Sequence, residues 1–316
     1  MVMKIMKNEA NLRMHKNNIK LTKRQRMDEK MFLTFISPWL IGFVFLTLGP
    51  MLYSLYMSFC KWDAITSPVF IGLTNFYKMF FVDQKFYLSL RNTLYFVLFS
   101  VPLNLVIALG LAVLLNMNYR GRSLFRAAFY LPSVIAGVAV YIVWSYLFNS
   151  TIGVINYFLS FVGIHGPNWL TDPIWSMPSI IIMTTTFCGG AMLIFLAGLQ
   201  DIPESVIEAA RVDGASKLKI FLKIKLPLLS PIIFLNLIMS IIGSLQIFAQ
   251  PWVMTQGGPV DSTYVYGMLV YDSAFRFSEF GYASALAWFL FLIIMSLSLI
   301  IIKTSSAWVF SESAQK

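Results

Sequence analysis

The chain has 316 residues, of which 58% are hydrophobic and 12% are charged. Soluble domains carry about 25% charged residues, so this composition excludes an ordinary water-soluble fold and indicates a membrane protein. The net charge of +10 does not indicate nucleic-acid binding, because the basic residues lie in the first 30 residues and in short segments between apolar runs. Two histidines and two cysteines in no metal-type spacing predict no metal site.

Six apolar runs are long enough to cross a bilayer as helices, since a transmembrane helix needs about 20 apolar residues. None of them contains Asp, Glu, Lys or Arg. The runs are residues 32–59, 93–117, 127–148, 177–199, 228–249 and 280–302. The sequence therefore predicts an all-α, polytopic membrane protein with six transmembrane helices in a single domain, residues 31–305.

The positions of the basic residues predict how the helices are oriented. If the N-terminus lies inside, the inner segments hold 19 Lys and Arg and the outer segments hold 5. Basic residues are enriched on the cytoplasmic side of membrane proteins. We therefore expect both termini to be cytoplasmic, with a basic tail at 1–30 near anionic membrane lipid and a second tail at 306–316.

The segment 200–227 is polar and basic, and this orientation makes it cytoplasmic. Asp201 is predicted to cap a helix whose first turn holds Pro203 and Glu204. Gly214 is expected to end that helix in the left-handed conformation, and Ser216 to cap a second helix. The sequence thus predicts a helix–turn–helix that projects from the membrane.

The same segment carries a spaced motif, E-A-A-x3-G-x9-I-x-L-P. Its residues are Glu208, Ala209, Ala210, Gly214, Ile224, Leu226 and Pro227, and Asp213 precedes the glycine. This motif resembles the EAA loop of binding-protein-dependent ABC importer permeases, in which the loop meets the ATPase. A well-capped surface hairpin without a partner is the simpler interpretation, but the full spacing on the predicted cytoplasmic side favours ATPase docking.

The resemblance extends over about residues 31–305. The matching segments are 50–63, 70–80, 94–116, 119–149, 168–173, 192–216, 240–263 and 274–292. They are similar to the sugar-importer branch of the family, and within it to the first permease of the pair, the type related to the MalF and UgpA proteins. The chain departs from many relatives at 184–190, where those carry a stretch with Trp and Lys.

The resemblance implies the type I ABC importer permease (MetI-like) fold in a bacterial cytoplasmic (inner) membrane. It also implies the partners: a second permease of similar fold, two copies of an ABC ATPase, an extracellular substrate-binding protein and a sugar substrate. The sequence lacks G-x4-G-K-[ST], so the chain has no P-loop of its own. We therefore expect no enzyme activity and no bound cofactor in this chain, with ATP and Mg on the partner ATPase.

In the resembling family, sugar contacts come from the helices just before and after the EAA loop. Counting from Glu208 places such contacts near Met183, Thr186, Phe187, Gly190, Ser240, Gly243 and Ser244. Asn236, Ser240 and Ser244 recur every four residues and so share one helix face. Our hypothesis is that Ser240 and Ser244 bond sugar hydroxyls and that Phe187 offers an apolar face. The alternative is that the serines tie helices together.

Three other functions compete with sugar import. An ion-coupled secondary transporter normally has ionisable groups inside the membrane, and the six runs have none. A membrane enzyme would need an acid pair, a histidine cluster or an activated nucleophile, and the sequence provides none at a common depth. A permease of the same superfamily for glycerol phosphate or a polyamine is the closest alternative. A phosphate-bearing solute favours Arg or Lys in its path, so the uncharged runs favour sugar.

Overall fold

The computed structural model describes residues 23–135 and 137–310, and the chain divides into two units, residues 1–56 and 57–316. The predicted tails at 1–30 and 306–316 lie partly outside the described residues. In the first unit, α1 (Lys23–Gly42) continues through a π-helical turn (Phe43–Leu48) into α2 (Gly49–Met57). Residues 30–57 are apolar enough to cross a membrane.

The second unit is almost entirely helical. A two-residue strand β1 (Cys60–Lys61) pairs antiparallel with β2 (Val69–Phe70). The helices that follow are α3 (Thr74–Phe81), α4 (Gln84–Leu115), α5 (Arg122–Val134), α6 (Gly137–Leu147), α7 (Val154–Phe161), α8 (Ser176–Thr184), α9 (Gly189–Gln200), α10 (Glu204–Val212), α11 (Lys217–Ile220), α12 (Leu226–Leu228), α13 (Ser230–Leu245), α14 (Ala249–Met254), α15 (Tyr266–Tyr271) and α16 (Phe280–Ser305).

Three of the six predicted spans are single candidate spans, namely residues 30–57, α4 and α16. The other three are pairs of helices with a bend between them: α5 with α6, α8 with α9 and the 217–228 helix with α13. The described residues therefore hold three candidate spans, or up to six if each bent pair counts as one. Helix α4 begins at Gln84, before the predicted start at residue 93. Its first turns carry Lys85 and Arg91, and these charged residues lie outside the apolar run on which the prediction was based.

Helix α4 lies at the centre of the unit and packs against both α9 and α13. Near its C-terminal end, the small buried residues Ala108 and Ala112 are four apart and so lie on one face. They join Met192 and Leu196 of α9 in one apolar cluster. Small residues let helices in membrane proteins approach closely, so α9 is held firmly against α4.

A second, larger cluster surrounds the N-terminal half of α4 and includes the segment between α14 and α16. Asn92 of α4 donates hydrogen bonds from its amide to the carbonyl oxygens of Asp261 (2.8 Å) and Tyr264 (3.1 Å). The hydroxyl of Thr93 accepts one from the backbone amide of Tyr266 at 2.8 Å. Buried backbone groups need such partners, so these side chains fix an irregular segment inside the unit.

Candidate functional site

The bend between α8 and α9 has a local cause in the sequence. Thr184, Thr185 and Thr186 each donate a 2.7 Å hydrogen bond from the hydroxyl to the carbonyl three residues earlier. Such bonds compete with the helical ladder. The chain forms a 3-10 turn at 185–187, and the span bends by 46° between α8 and α9.

Gly189 allows α9 to start where it does. A Cβ at this position would lie 2.5 Å from the carbonyl oxygen of Phe129 and 2.8 Å from the Cα of Tyr130. Both are backbone atoms of α5 and cannot rotate away, so only glycine fits. Glycine therefore lets the start of α9 pack directly against the backbone of α5.

A cavity of about 370 Å³ lies beside this turn. Helices α4, α6 and α13 form its walls together with the 3-10 turn and the start of α14. The lining residues are Phe96, Ser100, Val101, Asn104, Tyr141, Thr184, Phe187, Ser240, Gly243, Ser244, Ile247 and Gln250. The polar groups in this lining are hydroxyls and amides, and none of these residues is charged. The cavity is therefore suited to hydrogen bonding rather than to ion pairing.

Four of the residues singled out from the sequence meet in this cavity: Phe187, Ser240, Gly243 and Ser244. The ring of Phe187 meets the ring of Tyr141 edge-on, with centroids 5.8 Å apart. No atom lies within 4 Å of a Cβ built on Gly243, so this glycine leaves open space beside the serines.

The other four singled-out residues do not line this cavity. Met183 is fully buried, and the carbonyl of this residue accepts the hydroxyl of Thr186. Gly190 borders open space elsewhere, since no atom lies within 4 Å of a Cβ there. Asn236 is buried, and its amide donates to the carbonyl of Ile232 at 3.0 Å in its own helix. Asn236, Ser240 and Ser244 were predicted to share one helix face, but of these three residues the two serines line the cavity and Asn236 does not.

Six polar or aromatic lining residues are not among those predicted from the sequence. These are Phe96, Ser100, Asn104, Tyr141, Thr184 and Gln250. The signal for two of them was present, because Ser100 and Asn104 are four apart in an apolar run and therefore share a face. That spacing does not show what the shared face meets, because this depends on how α4 packs against the other helices.

The 200–227 loop has the predicted turn between its helices. Gly214 has a φ of +75°, in the left-handed region. Its amide donates to the carbonyl of Arg211, and the amide of Ala215 donates to the carbonyl of Ala210, both at 3.0 Å. This pair of bonds is the Schellman motif, which satisfies the last carbonyls of a helix. The expectation of a left-handed glycine at this position is confirmed.

The two predicted caps of this loop had different outcomes. The hydroxyl of Ser216 accepts a 3.3 Å hydrogen bond from the amide of Lys219, so it caps α11 as expected. The predicted cap at Asp201 is wrong, because Pro203 precedes α10 and provides no side-chain bond. The backbone of Asp201 is still helical, and its amide donates to the carbonyl of Ala197. The residue therefore ends α9 and does not start α10.

The surface of the loop exposes several apolar side chains. The side chains of Val212, Leu218 and Leu222 are 88%, 66% and 50% exposed. Glu208 is also exposed and makes no hydrogen bond or ion pair within the part of the chain that the structure describes. An exposed apolar patch with polar neighbours is typical of a surface that binds another protein.

The remaining motif residues lie around this surface. Ala209 and Asp213 are exposed and Ala210 is half-buried on α10, while Ile224, Leu226 and Pro227 continue the chain through a π-helical turn (Phe221–Lys225) into α12. An exposed ion pair joins Arg211 to Glu204 at 3.1 Å. Exposed pairs contribute little stability, so this bond does not account for the motif.

The loop and the cavity are directly connected. Helix α9 leads from the 3-10 turn at the cavity to the loop, and α13 leads from the loop back to Ser240 and Ser244. Helix α9 has 12 residues and so spans about 18 Å at about 1.5 Å per residue. The loop therefore connects two of the elements that carry the cavity lining.

Comparisons with known proteins agree on one family. A model of the family described as binding-protein-dependent transport system inner membrane component matches residues 104–308. The probable ABC transporter permease protein YesP of Bacillus subtilis (strain 168) is 43% identical over 302 residues, which cover 94% of this chain and 97% of YesP. The multiple sugar-binding transport system permease protein MsmF of Streptococcus mutans serotype c is 32% identical over 286 residues, which cover 90% and 98%.

A solved structure has the same fold. It is the crystal structure of a bacterial alginate ABC transporter in complex with a periplasmic protein that holds an alginate pentasaccharide. One of its chains matches with a TM-score of 0.77 over 88% of this chain and 95% of its own length. The sequence identity is 22%, so this likeness concerns the fold alone.

Proposed function

Because the chain belongs to the family of inner-membrane components of binding-protein-dependent transport systems, we propose that it is the permease subunit of an ATP-driven ABC importer. In this proposal it forms half of the translocation pathway for a sugar or oligosaccharide. The observation that carries the proposal is that the two bent spans joined by the 200–227 loop both line the polar cavity.

The proposed assembly has several further parts. A second permease of similar fold completes the pathway, two copies of an ABC ATPase bind ATP and Mg, and an extracellular binding protein delivers the solute. The exposed Glu208 and the apolar side chains of Val212 and Leu218 support docking of the ATPase at the loop. The assembly is proposed to lie in a bacterial cytoplasmic membrane with the loop and both termini inside. In this proposal the transmembrane domain is about residues 31–305 and crosses the membrane six times, so both termini lie on the same side.

The mechanism follows from the helices on either side of the loop. When the ATPase closes on ATP, it moves the loop, and α9 and α13 move with it as rigid elements. Because α9 and α13 both pack against α4, the cavity that α4 and α13 line moves with them relative to the proposed second permease, which changes the side from which the solute reaches it. The left-handed turn at Gly214 keeps α10 and α11 at a fixed angle, so a push on one helix reaches the other.

The lining of the cavity supports a hydroxylated solute. Sugar recognition uses hydroxyl and amide partners and aromatic faces, and the cavity offers Ser240, Ser244, Asn104, Phe187 and Tyr141. The relative MsmF is named as a permease of a multiple sugar-binding transport system, and this chain is similar to it over most of its length. A glycerol phosphate or polyamine permease would need charged partners, which this lining does not contain.

The proposal is tested by uptake in a host that lacks saccharide transporters. The chain is expressed with a second permease, an ABC ATPase and a binding protein from its own genome, and a panel of radiolabelled neutral and acidic di- and trisaccharides is supplied. We expect uptake of at least one saccharide that requires both this chain and an active ATPase. Uptake of none of them by a complex that assembles and hydrolyses ATP would overturn sugar import.

A further inference from the structure

Ser100 on α4 has a buried hydroxyl that lacks a hydrogen-bond partner. The residue is 3% exposed, and its Oγ makes no hydrogen bond within the described residues. Buried hydroxyls normally find a partner, because leaving one unpaired costs free energy. The hydroxyls of Ser89 and Thr93, earlier in the same helix, donate to carbonyls three and four residues before them, both at 2.9 Å.

Asn104 lies one helical turn after Ser100, on the same face. Its amide nitrogen is 3.4 Å from the carbonyl oxygen of Thr184, which is long for a hydrogen bond. Its amide oxygen has no partner in the part of the chain that the structure describes. Both residues line the cavity opposite the serines of α13. Helix α4 thus presents a hydroxyl and an amide, neither of them fully satisfied, to the cavity.

We propose that Ser100 and Asn104 bind the transported solute and form, with Ser240 and Ser244, a site that hydrogen-bonds a polyhydroxylated molecule from two sides. This proposal rests on the function proposed above for the cavity. The hydroxyl of Ser100 donates to one solute oxygen, and the amide oxygen of Asn104 accepts from a solute hydroxyl. Solute specificity is therefore set partly by α4, a helix that does not adjoin the coupling loop.

A substrate contact and a structural contact predict opposite effects for Ser100→Ala. Loss of a structural hydrogen bond lowers stability. Loss of an unpaired buried hydroxyl leaves stability unchanged or raises it, while a solute loses a partner. We expect Ser100→Ala to raise the KM for uptake about three- to tenfold, with an unchanged or higher thermal midpoint. Ser100→Thr keeps the hydroxyl and should hold the KM near that of the wild type.

Ser89→Ala is the matched control, because Ser89 is also a buried serine of α4 but its hydroxyl is bonded to Phe86. The probe is the labelled saccharide of the panel that the wild-type complex takes up. We expect Ser89→Ala to leave the KM unchanged. Asn104→Ala should raise the KM as Ser100→Ala does.

A second measurement does not depend on uptake. In the purified complex, Asn104→Cys, at the half-buried position of the pair, should react with methanethiosulfonate ethylammonium, and the same saccharide at saturation should slow the reaction several-fold. If Ser240→Leu abolishes uptake while Ser100→Ala and Asn104→Ala keep the wild-type KM, this proposal fails and the proposed function stands. If the wild-type complex takes up no saccharide, both fail together. Lower stability of Ser100→Ala with an unchanged KM assigns the serine to packing and also overturns the proposal.

Discussion

The backbone amide of Ala215 donates a 3.0 Å hydrogen bond to the carbonyl oxygen of Ala210, across the turn that Gly214 makes. This bond and the one from Gly214 to Arg211 end α10 and set the direction in which the chain continues into α11. Ala210 belongs to the Glu-Ala-Ala part of the motif, and Gly214 is its fixed glycine. Two parts of the spaced motif are thus tied together by backbone geometry.

Gly214→Val tests this geometry. The φ of +75° disfavours an L residue, and a β-branched one most of all, at a cost of about 1–2 kcal/mol. No atom lies within 4 Å of a Cβ at this position, so the penalty is conformational and not steric. We expect the variant to reach the membrane but to lose most transport and solute-stimulated ATP hydrolysis. Gly214→Asn is the control, since asparagine tolerates the left-handed region, and it should retain activity.

Glu208→Lys tests the docking surface. The side chain is exposed and unbonded within the described residues, so the substitution should not change the fold. We expect it to abolish solute-stimulated ATPase activity and to weaken recovery of the ATPase with the purified permease. Glu204→Lys, one turn earlier on the same helix, breaks the exposed pair with Arg211 and places a cation in the first turn of α10, which together cost about 1 kcal/mol, so it should have little effect. Equal activity of the two variants would contradict a role for Glu208 in docking.

The sequence predicted the turn at Gly214 well because this turn depends on local chemistry. A glycine in the left-handed region and a serine that caps the next helix can both be predicted from a few adjacent residues. Asp201 shows where this reasoning ends, since an aspartate followed by proline also suits the last turn of the preceding helix. The choice between the two roles depends on how far α9 extends, which is decided by packing against α4.

The bends inside the spans could not be predicted from hydrophobicity. The run at 177–199 contains no charged residue, yet three threonine hydroxyls and the close contact at Gly189 break it into two helices. The cavity forms at that break. The sequence therefore pointed to Phe187 and the two serines of α13 through a family resemblance. It did not point to Ser100, because the contribution of α4 depends on the tertiary arrangement.

Tyr264→Phe tests the packing of the segment between α14 and α16. The hydroxyl of Tyr264 donates a 2.8 Å hydrogen bond to the carboxylate of Asp272, and both residues are 4% exposed. Within the residues that the structure describes, the variant leaves this buried carboxylate with Arg276 as its remaining side-chain partner. We expect a loss of about 1.5–3 kcal/mol in stability, measured as a lower thermal midpoint in detergent. Tyr157→Phe, at an exposed tyrosine, should leave the midpoint unchanged.

The stability difference at Tyr264 should not vary with pH over the physiological range. Burial raises the pKa of Tyr264 above its ordinary value, and the hydrogen bond to Asp272 raises this pKa further. A group with a raised pKa contributes stability that is fully present below its unfolded pKa, about 10, and is lost as the pH rises through the folded pKa. The midpoints of the wild type and Tyr264→Phe should therefore differ by the same amount from about pH 6 to 9.

Cysteine labelling tests the orientation of the loop. The native Cys60 and Cys188 are buried, so they should not react with a membrane-impermeant maleimide. Lys217→Cys and Ser150→Cys each place a thiol at an exposed position. We expect Ser150→Cys to be labelled in intact cells and Lys217→Cys only after permeabilisation. Labelling of Lys217→Cys in intact cells would reverse the proposed topology.

Ser240→Leu and Ser244→Leu test whether the cavity is the solute path. Both serines line it, and Gly243 borders open space beside them, so a leucine at either position should fill part of the cavity. We expect uptake to fall below a tenth of the wild-type rate, while the complex assembles and retains basal ATP hydrolysis.

Met239→Leu is the matched control, since this side chain is 64% exposed on α13 and does not line the cavity. It should transport normally, because the change adds no bulk to the cavity and removes no hydrogen bond. The serines can also act as ties between helices, for which mutational measurements in membrane proteins average about 0.6 kcal/mol. In that case the leucine variants would lose thermal stability and fail to assemble. Blocked uptake with intact assembly separates the solute path from this structural role, and normal uptake by both variants would place the path elsewhere.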